Sequence, residues 1–268
     1  MRKILVGSVL AACLLLSGCT RNIFTLPVHE NPEALMRFNT PVQYDYNPAH
    51  YPVTIENFNT QGEPEQQTFT KPPERVVAVW QNSIETLLAL GAGDRLIAGN
   101  GVPDKKFFLP QYQEQYSQIP YTGLQLLDVE TTMMLKPDLL VGWHSTFSPK
   151  VIRPTEFWHK RGVNTFIARS SIITNKKRTL ENEYKDILDL GRIFDKNERA
   201  QQLVADMQHE VQYATSKTAG FQKRPRALVI EFMGKEVSVY GERSLAGDIV
   251  HELHGELLAA KDRNIGIE

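Results

Sequence analysis

Hydrophobic and polar positions divide this chain into stretches of different period, and the periods predict its elements. Ile4 to Leu16 is a nearly unbroken apolar run behind Arg2 and Lys3. A bilayer span needs roughly 20 residues, so this run has the length of a secretory h-region instead. Residues 20–50 are rich in Asn, Pro and Thr, show no period, and read as a tether. Tyr51, Val53, Ile55 and Phe58 then largely alternate with polar positions, and Gln67 to Thr70 alternates again after Asn59-Thr60-Gln61-Gly62, which predicts a β-hairpin.

From Arg75 the texture changes. Val76–Val79, Leu96–Ala98, Leu139–Gly142 and Thr165–Ala168 are short apolar runs of the kind buried in parallel sheets. Between the first two, Asn82 or Ser83 is expected to cap a helix with Ile84, Leu87, Leu88 and Leu90 on one face, closed by Gly91-Ala92-Gly93. A polar helical stretch follows Ala98, and a helix ends at Met133–Lys136 before Pro137. Alternation of strand and helix predicts an α/β unit. Leu180, Tyr184, Ile187 and Leu188 mark one amphipathic helix; Ala200, Leu203, Val204, Met207, Val211 and Ala214 mark a second, over Asn197–Thr218. The second would run about 33 Å, long enough to brace two lobes. Ala227–Ile230 opens another α/β unit with a hairpin partner at Val237–Tyr240 and a helix over Asp248–Leu258, and the chain shows no further strong strand. The divisions are therefore 1–18, 19–50 (tether), 51–175 (first lobe with its hairpin), 176–222 (connecting helices) and 223–268 (second, partial lobe).

Leu16-Ser17-Gly18-Cys19 behind the apolar run resembles the lipobox of bacterial lipoproteins. That resemblance implies removal of residues 1–18, lipidation of Cys19 and attachment to the extracytoplasmic face of a membrane. Acyl chains contribute about 0.8 kcal/mol per buried methylene, so two or more anchor stably. Cys13 and Cys19 are the chain's two cysteines, which leaves no thiol for a disulfide in residues 20–268. Losing residues 1–18 removes two cations and no anion, so the charge moves from −1 to −3, and no basic stripe points to nucleic acid.

Three segments together resemble the substrate-binding proteins of ABC importers for ferric siderophores, cobalamin and haem. They are Pro73–Val79 with Glu85–Asp94; Val129-Glu130 with Leu135-Lys-Pro-Asp-Leu-Leu-Val-Gly142; and Val239-Tyr-Gly241 with Ser244–Val250 ahead of Gly255. The resemblance implies two Rossmann-like α/β lobes joined by one long helix, with a large iron chelate held between them and passed to a permease. It implies a monomer, no covalent cofactor and no resident metal. Members of that family continue with several more strands and helices after the position of Gly255, which implies that about 60 to 80 residues of the second lobe are missing here. Residues 226–268 are accordingly expected to pack less well than residues 73–175 and the long helix.

In open α/β sheets ligands sit outside the carboxyl ends of the strands. That rule nominates Trp80, Gln81 and Asn82; Asn100; Trp143, His144 and Ser145; and Arg169 and Ser170 in the first lobe. In the second it nominates Phe232, Met233, Tyr240, Arg243 and Ser244. Aromatic faces and guanidinium groups suit the π surfaces and anionic edges of chelates. Each has a plainer alternative: Trp80 and Trp143 as packing between sheet and helices, His144 as a hydrogen-bonding loop residue, Arg169 as half of an ion pair. His144 and Tyr240 keep haem open, and Trp143 keeps cobalamin open. Glu130 matches the acidic residue by which the family's first lobe docks on its permease, and it also suits a helix N-terminus.

Enzyme signatures are missing from the sequence: there is no Gly-x-Ser-x-Gly elbow, Walker loop or His-Glu-x-x-His. His251 and His254 are three residues apart on a stretch that packing explains, and the seven histidines are scattered, which weighs against the remaining alternative, a zinc- or manganese-binding lipoprotein.

Overall fold

The structure, a computed structural model, describes residues 29–30, 33, 44, 46–172, 177–259 and 261–266. The apolar leader and Cys19 lie outside the described residues.

The first lobe is a six-stranded sheet in the order β1-β6-β5-β4-β7-β8. Its strands are β1 (His29–Glu30), β4 (Val76–Val79), β5 (Leu96–Asn100), β6 (Tyr121–Gly123), β7 (Leu139–Gly142) and β8 (Asn164–Ile167). β1 is antiparallel to β6 and every other pairing is parallel. β4, β5 and β7 are buried at every position, as continuous apolar runs with both faces covered must be. One face packs Val76, Ala78 and Leu96 against Ile84, Leu87 and Leu88 of helix α1 (Gln81–Ala89). The other packs Val77, Val79, Ile97 and Leu140 against Phe147 and Trp158. Burying each such side chain contributes roughly 1.5–3 kcal/mol. Shorter helices α2 (Pro110–Ser117), α3 (Val129–Met134) and α4 (Thr155–His159) complete the lobe.

The hairpin, β2 (Val53–Phe58) and β3 (Pro64–Phe69), lies beside the sheet's outer strand. It joins β8 through side chains. Asn57 donates Nδ2–H to the Ile167 carbonyl at 3.1 Å and accepts the Ile167 N–H at 2.7 Å, while Gln67 Oε1 accepts the Thr165 N–H at 3.0 Å. An edge strand's free backbone groups are thereby satisfied and covered.

Helix α5 (Leu180–Ile193) buries Tyr184, Ile187, Leu190 and Ile193 on the first lobe, and α6 (Asn197–Thr218) follows over the range that the periodicity predicts. The corner between them is tight: a Cβ on Gly191 would lie 2.3 Å from the Ala200 Cβ. The far end of α6 reaches the second lobe, where Thr215 Oγ1 donates to the Glu252 carbonyl at 3.2 Å. That lobe has a three-stranded antiparallel sheet, β10 (Val229–Met233), β11 (Glu236–Tyr240) and β13 (Arg263–Gly266), and a parallel pair, β9 (Arg226–Ala227) with β12 (Glu256–Leu257). Helix α7 (Leu245–Glu252) packs beside them. Leu228, Ile230 and Phe232 are 53 %, 41 % and 70 % exposed, whereas Val76–Val79 are buried.

Five expectations change. Tyr121–Gly123, inside the polar stretch read as helical, is strand β6, because its backbone pairs with both Ala98–Asn100 and His29–Glu30. Trp80, not Asn82 or Ser83, is the N-cap of α1. The last helix starts earlier and stops at Glu252, since Ser244 caps it and His254, with φ +58°, turns the chain into β12. Arg263–Gly266 is a strand that apolar patterning could not show, held by backbone bonds to β11. The end of the supposed tether is docked: Tyr44 donates to the Asp94 carbonyl at 3.2 Å with the Arg95 guanidinium 3.4 Å from its ring centre, and the Asn47 N–H donates to Asp195 at 3.0 Å.

Candidate functional site

The carboxyl ends of β4, β5 and β7 bring two tryptophans together. Trp80 follows β4, and its backbone N–H donates to the Asn100 carbonyl at 2.8 Å. Its φ of +75° is a left-handed conformation that a bulky residue rarely adopts. The indole crosses the sheet's edge. Its Nε1–H donates to Thr146 Oγ1 at 3.1 Å beyond β7, and its benzo ring lies on Gly101 beyond β5, where a Cβ would meet it at 2.8 Å. Gly101, with φ +93°, is the residue that lets the ring lie there. Trp143 follows β7, 6.4 Å from the Trp80 ring centre and tilted by 49°. Its Nε1–H donates to Asn82 Oδ1 at 2.6 Å, which fixes the ring while leaving it 41 % exposed. Asn82 thus holds an aromatic wall instead of capping α1. Gln81 ties the helix start to the next loop by donating to the Phe107 carbonyl at 2.6 Å. Ser145 is exposed at the mouth. Asn100 is fully buried, and neither its Oδ1 nor its Nδ2 has a partner among the described residues.

The remaining first-lobe nominees do structural work. His144 Nε2 lies 2.7 Å from the Thr60 carbonyl and its N–H donates to Ser171 Oγ at 2.8 Å, so the residue ties hairpin to sheet. Arg169 reaches Asp186 at 2.5 Å, Asp189 at 2.6 Å and the Glu56 carbonyl at 2.8 Å. It is half of a buried ion network, not a free ligand arm. Burial pushes the Asp186 carboxyl up to about 7, against the pull of Arg169. Ser170 donates its hydroxyl to Glu183, whose carboxyl burial also raises. A carboxyl raised on folding contributes stability that is present below its unfolded pKa and lost as pH rises through the folded value. Thermal melts of wild type and Glu183→Gln should therefore agree most closely at about pH 4 and diverge toward pH 7, with the variant gaining; parallel curves would show the carboxyl unperturbed.

The second-lobe nominees form a separate group. Tyr240 donates to Glu231, and the buried Ser244 Oγ accepts the Gly247 N–H at 3.0 Å as the cap of α7. The carbonyl of Arg243 accepts the Arg178 N–H at 3.1 Å, and Asp248 holds Lys177 at 2.7 Å and the Leu180 N–H at 2.9 Å, which docks this lobe on the start of α5. A cleft of about 760 Å³ opens here, lined by Lys177, Arg224, Glu242, Arg243, His251 and Glu256. Among the described residues its lining holds no Trp, Tyr or Phe. Phe232 is exposed, and the Met233 side chain lies outside the described residues. Among the described residues there is no cluster of three or more potential metal ligands and no helix long and apolar enough to cross a membrane. Glu130 is exposed in the first turn of α3, where Asp128 makes the capping bond to the Thr131 N–H at 2.7 Å.

Sequence reasoning missed Thr146 and the hairpin side chains. Asn57 was findable, because it continues the buried phase of Val53 and Ile55 with a polar residue. Thr146 carried no such signal.

The sequence model of the family described as periplasmic binding protein matches residues 76–267. The chain belongs to that family. It is similar to solved members of the family. A periplasmic binding protein from Veillonella parvula DSM 2008 superposes with a TM-score of 0.75 at 47 % identity, covering 85 % of this chain and 71 % of that one. Two Bacillus subtilis proteins are related in sequence. The ABC transporter substrate-binding lipoprotein YvrC is 22 % identical over 78 % of this chain, and the petrobactin-binding protein YclQ is 28 % identical over 73 %. The chain spans 62 % of the former's length and 56 % of the latter's.

Proposed function

We propose that this binding protein is anchored through Cys19 on the extracytoplasmic face of a membrane, captures a ferric siderophore without covalent chemistry, and delivers it to an ABC permease that reads Glu130. The tilted Trp80–Trp143 pair at the carboxyl ends of β4 and β7 carries the reading. Indole faces at a partly exposed edge offer broad contact to a rigid chelate. The related YclQ is a petrobactin-binding protein, which supports an iron chelate. Haem is disfavoured at His144 and Tyr240, because the His144 Nε2 and the Tyr240 hydroxyl are already engaged. At the docking edge, one exposed ion pair adds under about 1 kcal/mol, so Glu130 serves orientation and encounter rate.

Incubation of the full chain with ferric tris-catecholate, ferric tris-hydroxamate, haem and cobalamin, followed by native mass spectrometry, tests the class. The expected result is a one-to-one complex with a ferric siderophore. Retention of haem or cobalamin instead would replace the ligand assignment, and retention of none would reject it.

A further inference from the structure

Two independent oddities meet at one place. The Asn100 amide, at the end of β5, is fully buried with both polar atoms unpartnered among the described residues. A buried amide left without hydrogen bonds is costly and rare, and such a group calls for a missing partner. One turn into α1, the buried Ser83 hydroxyl is also without a partner. Between these elements sits Trp80, whose left-handed backbone is a second departure from what the residue type prefers. Its indole runs from Gly101, the residue after Asn100, across β4 to Thr146, so it covers the carboxyl edge one residue along the chain from the orphan amide. A single neutral hydrogen bond to Thr146 latches the ring.

We infer that Trp80 is a gate over Asn100: an arriving chelate displaces the indole from Thr146 and Gly101, and the uncovered Asn100 amide then hydrogen-bonds the chelate's oxygen or amide edge. The unpaired amide weighs against the closed state, and ligand binding relieves it. Residues with a backbone like that of Trp80 cluster where a protein clamps its ligand. In this scheme Asn100 sets specificity, because a chelate lacking a polar edge at that point opens the gate without satisfying the amide. Trp143, held by Asn82 and already exposed, provides the first contact.

The inference rests on the proposed function, and the test separates the two. Asn100→Leu and Asn100→Ala are compared with wild type in thermal melts and in equilibrium titrations with ferric tris-catecholate and ferric tris-hydroxamate. An amide that is unpaired in the free protein predicts that the leucine variant melts no lower than wild type. An amide recruited on binding predicts that both variants bind the chelate about tenfold more weakly, the usual loss when a buried hydrogen-bonding partner is removed. Thr146→Val removes the latch and should raise the association rate while Trp80 fluorescence becomes more accessible to acrylamide. A leucine variant that melts markedly lower would mean the amide is already satisfied, by an internal water for example, and would overturn the inference. Unchanged affinity in both variants would overturn it while leaving the proposed function intact. Failure of wild type to bind any chelate would remove both.

Discussion

Replacing Arg169 by alanine is expected to lower the stability of the first lobe by about 3–5 kcal/mol, the usual consequence of removing one partner of a buried ion pair. The guanidinium bridges Asp186, Asp189 and the Glu56 carbonyl, and its side chain is 13 % exposed. Three elements meet at it: the hairpin, the end of β8 and helix α5. Alanine leaves Asp186, 6 % exposed, with the Arg169 backbone N–H at 2.8 Å as its remaining donor from that residue. The carboxyl would then take up a proton well into the neutral range, or the site would open to water. For a unit of this size the loss corresponds to roughly 10 °C or more in melting temperature. Arg169→Lys keeps the charge but cannot span both carboxylates, so it should fall between the two. Combining Arg169→Ala with Asp186→Leu should recover part of the loss, because the uncompensated charge goes with its partner. A melting temperature for Arg169→Ala within about 2 °C of wild type would show that the network is a surface pair of little worth.

The second large effect concerns the hairpin. Asn57→Leu should cost about 2–5 kcal/mol, since it orphans both the N–H and the carbonyl of Ile167 in a fully buried position. Leucine keeps the branched shape, though it is larger, and suits the apolar neighbours Val53 and Ile55, so hydrophobicity alone would predict a gain. Hydrogen bonding decides the sign. Freed from Asn57, β8 becomes an open edge, and Gln67 alone continues to bond it, at Thr165. Hydrogen exchange should report this locally, with Thr165–Ile167 losing protection and β4 and β5 keeping theirs. Uniform protection across the sheet in the variant would refute the side-chain clasp.

The strands at the centre of the first lobe were legible because they are buried on both faces. Continuous apolar runs at Val76–Val79 and Leu139–Gly142 leave little choice of structure. Helix α6 was legible for the opposite reason, a long one-sided stripe over Asn197–Thr218. Tyr121–Gly123 and Arg263–Gly266 were not, since a three-residue inner strand and a short edge strand are defined by backbone pairing that composition does not encode. The same limit applies at the site. The rule for open α/β sheets located Trp80, Asn100 and Trp143, because strand ends are readable. What each side chain does there depends on partners far away in sequence. Arg169 looks like a ligand arm until Asp186 and Asp189 arrive on α5, and His144 looks like an iron ligand until the hairpin brings Thr60. Asn82 resembles a helix cap, yet its oxygen is taken by Trp143.

Two of the chain's three tryptophans lie at the candidate site, while Trp158 is buried in the core on one face of the sheet, 1 % exposed. Intrinsic fluorescence therefore reports directly on the central claim. The decisive measurement titrates wild type and Trp143→Ala with ferric tris-catecholate and ferric tris-hydroxamate while following tryptophan emission. Saturable quenching by one of these chelates in wild type, with affinity at least about tenfold weaker in Trp143→Ala, is the predicted result, as loss of a central aromatic anchor commonly has that effect. Equal affinity in the two proteins, or no saturable quenching by either chelate, would contradict the account.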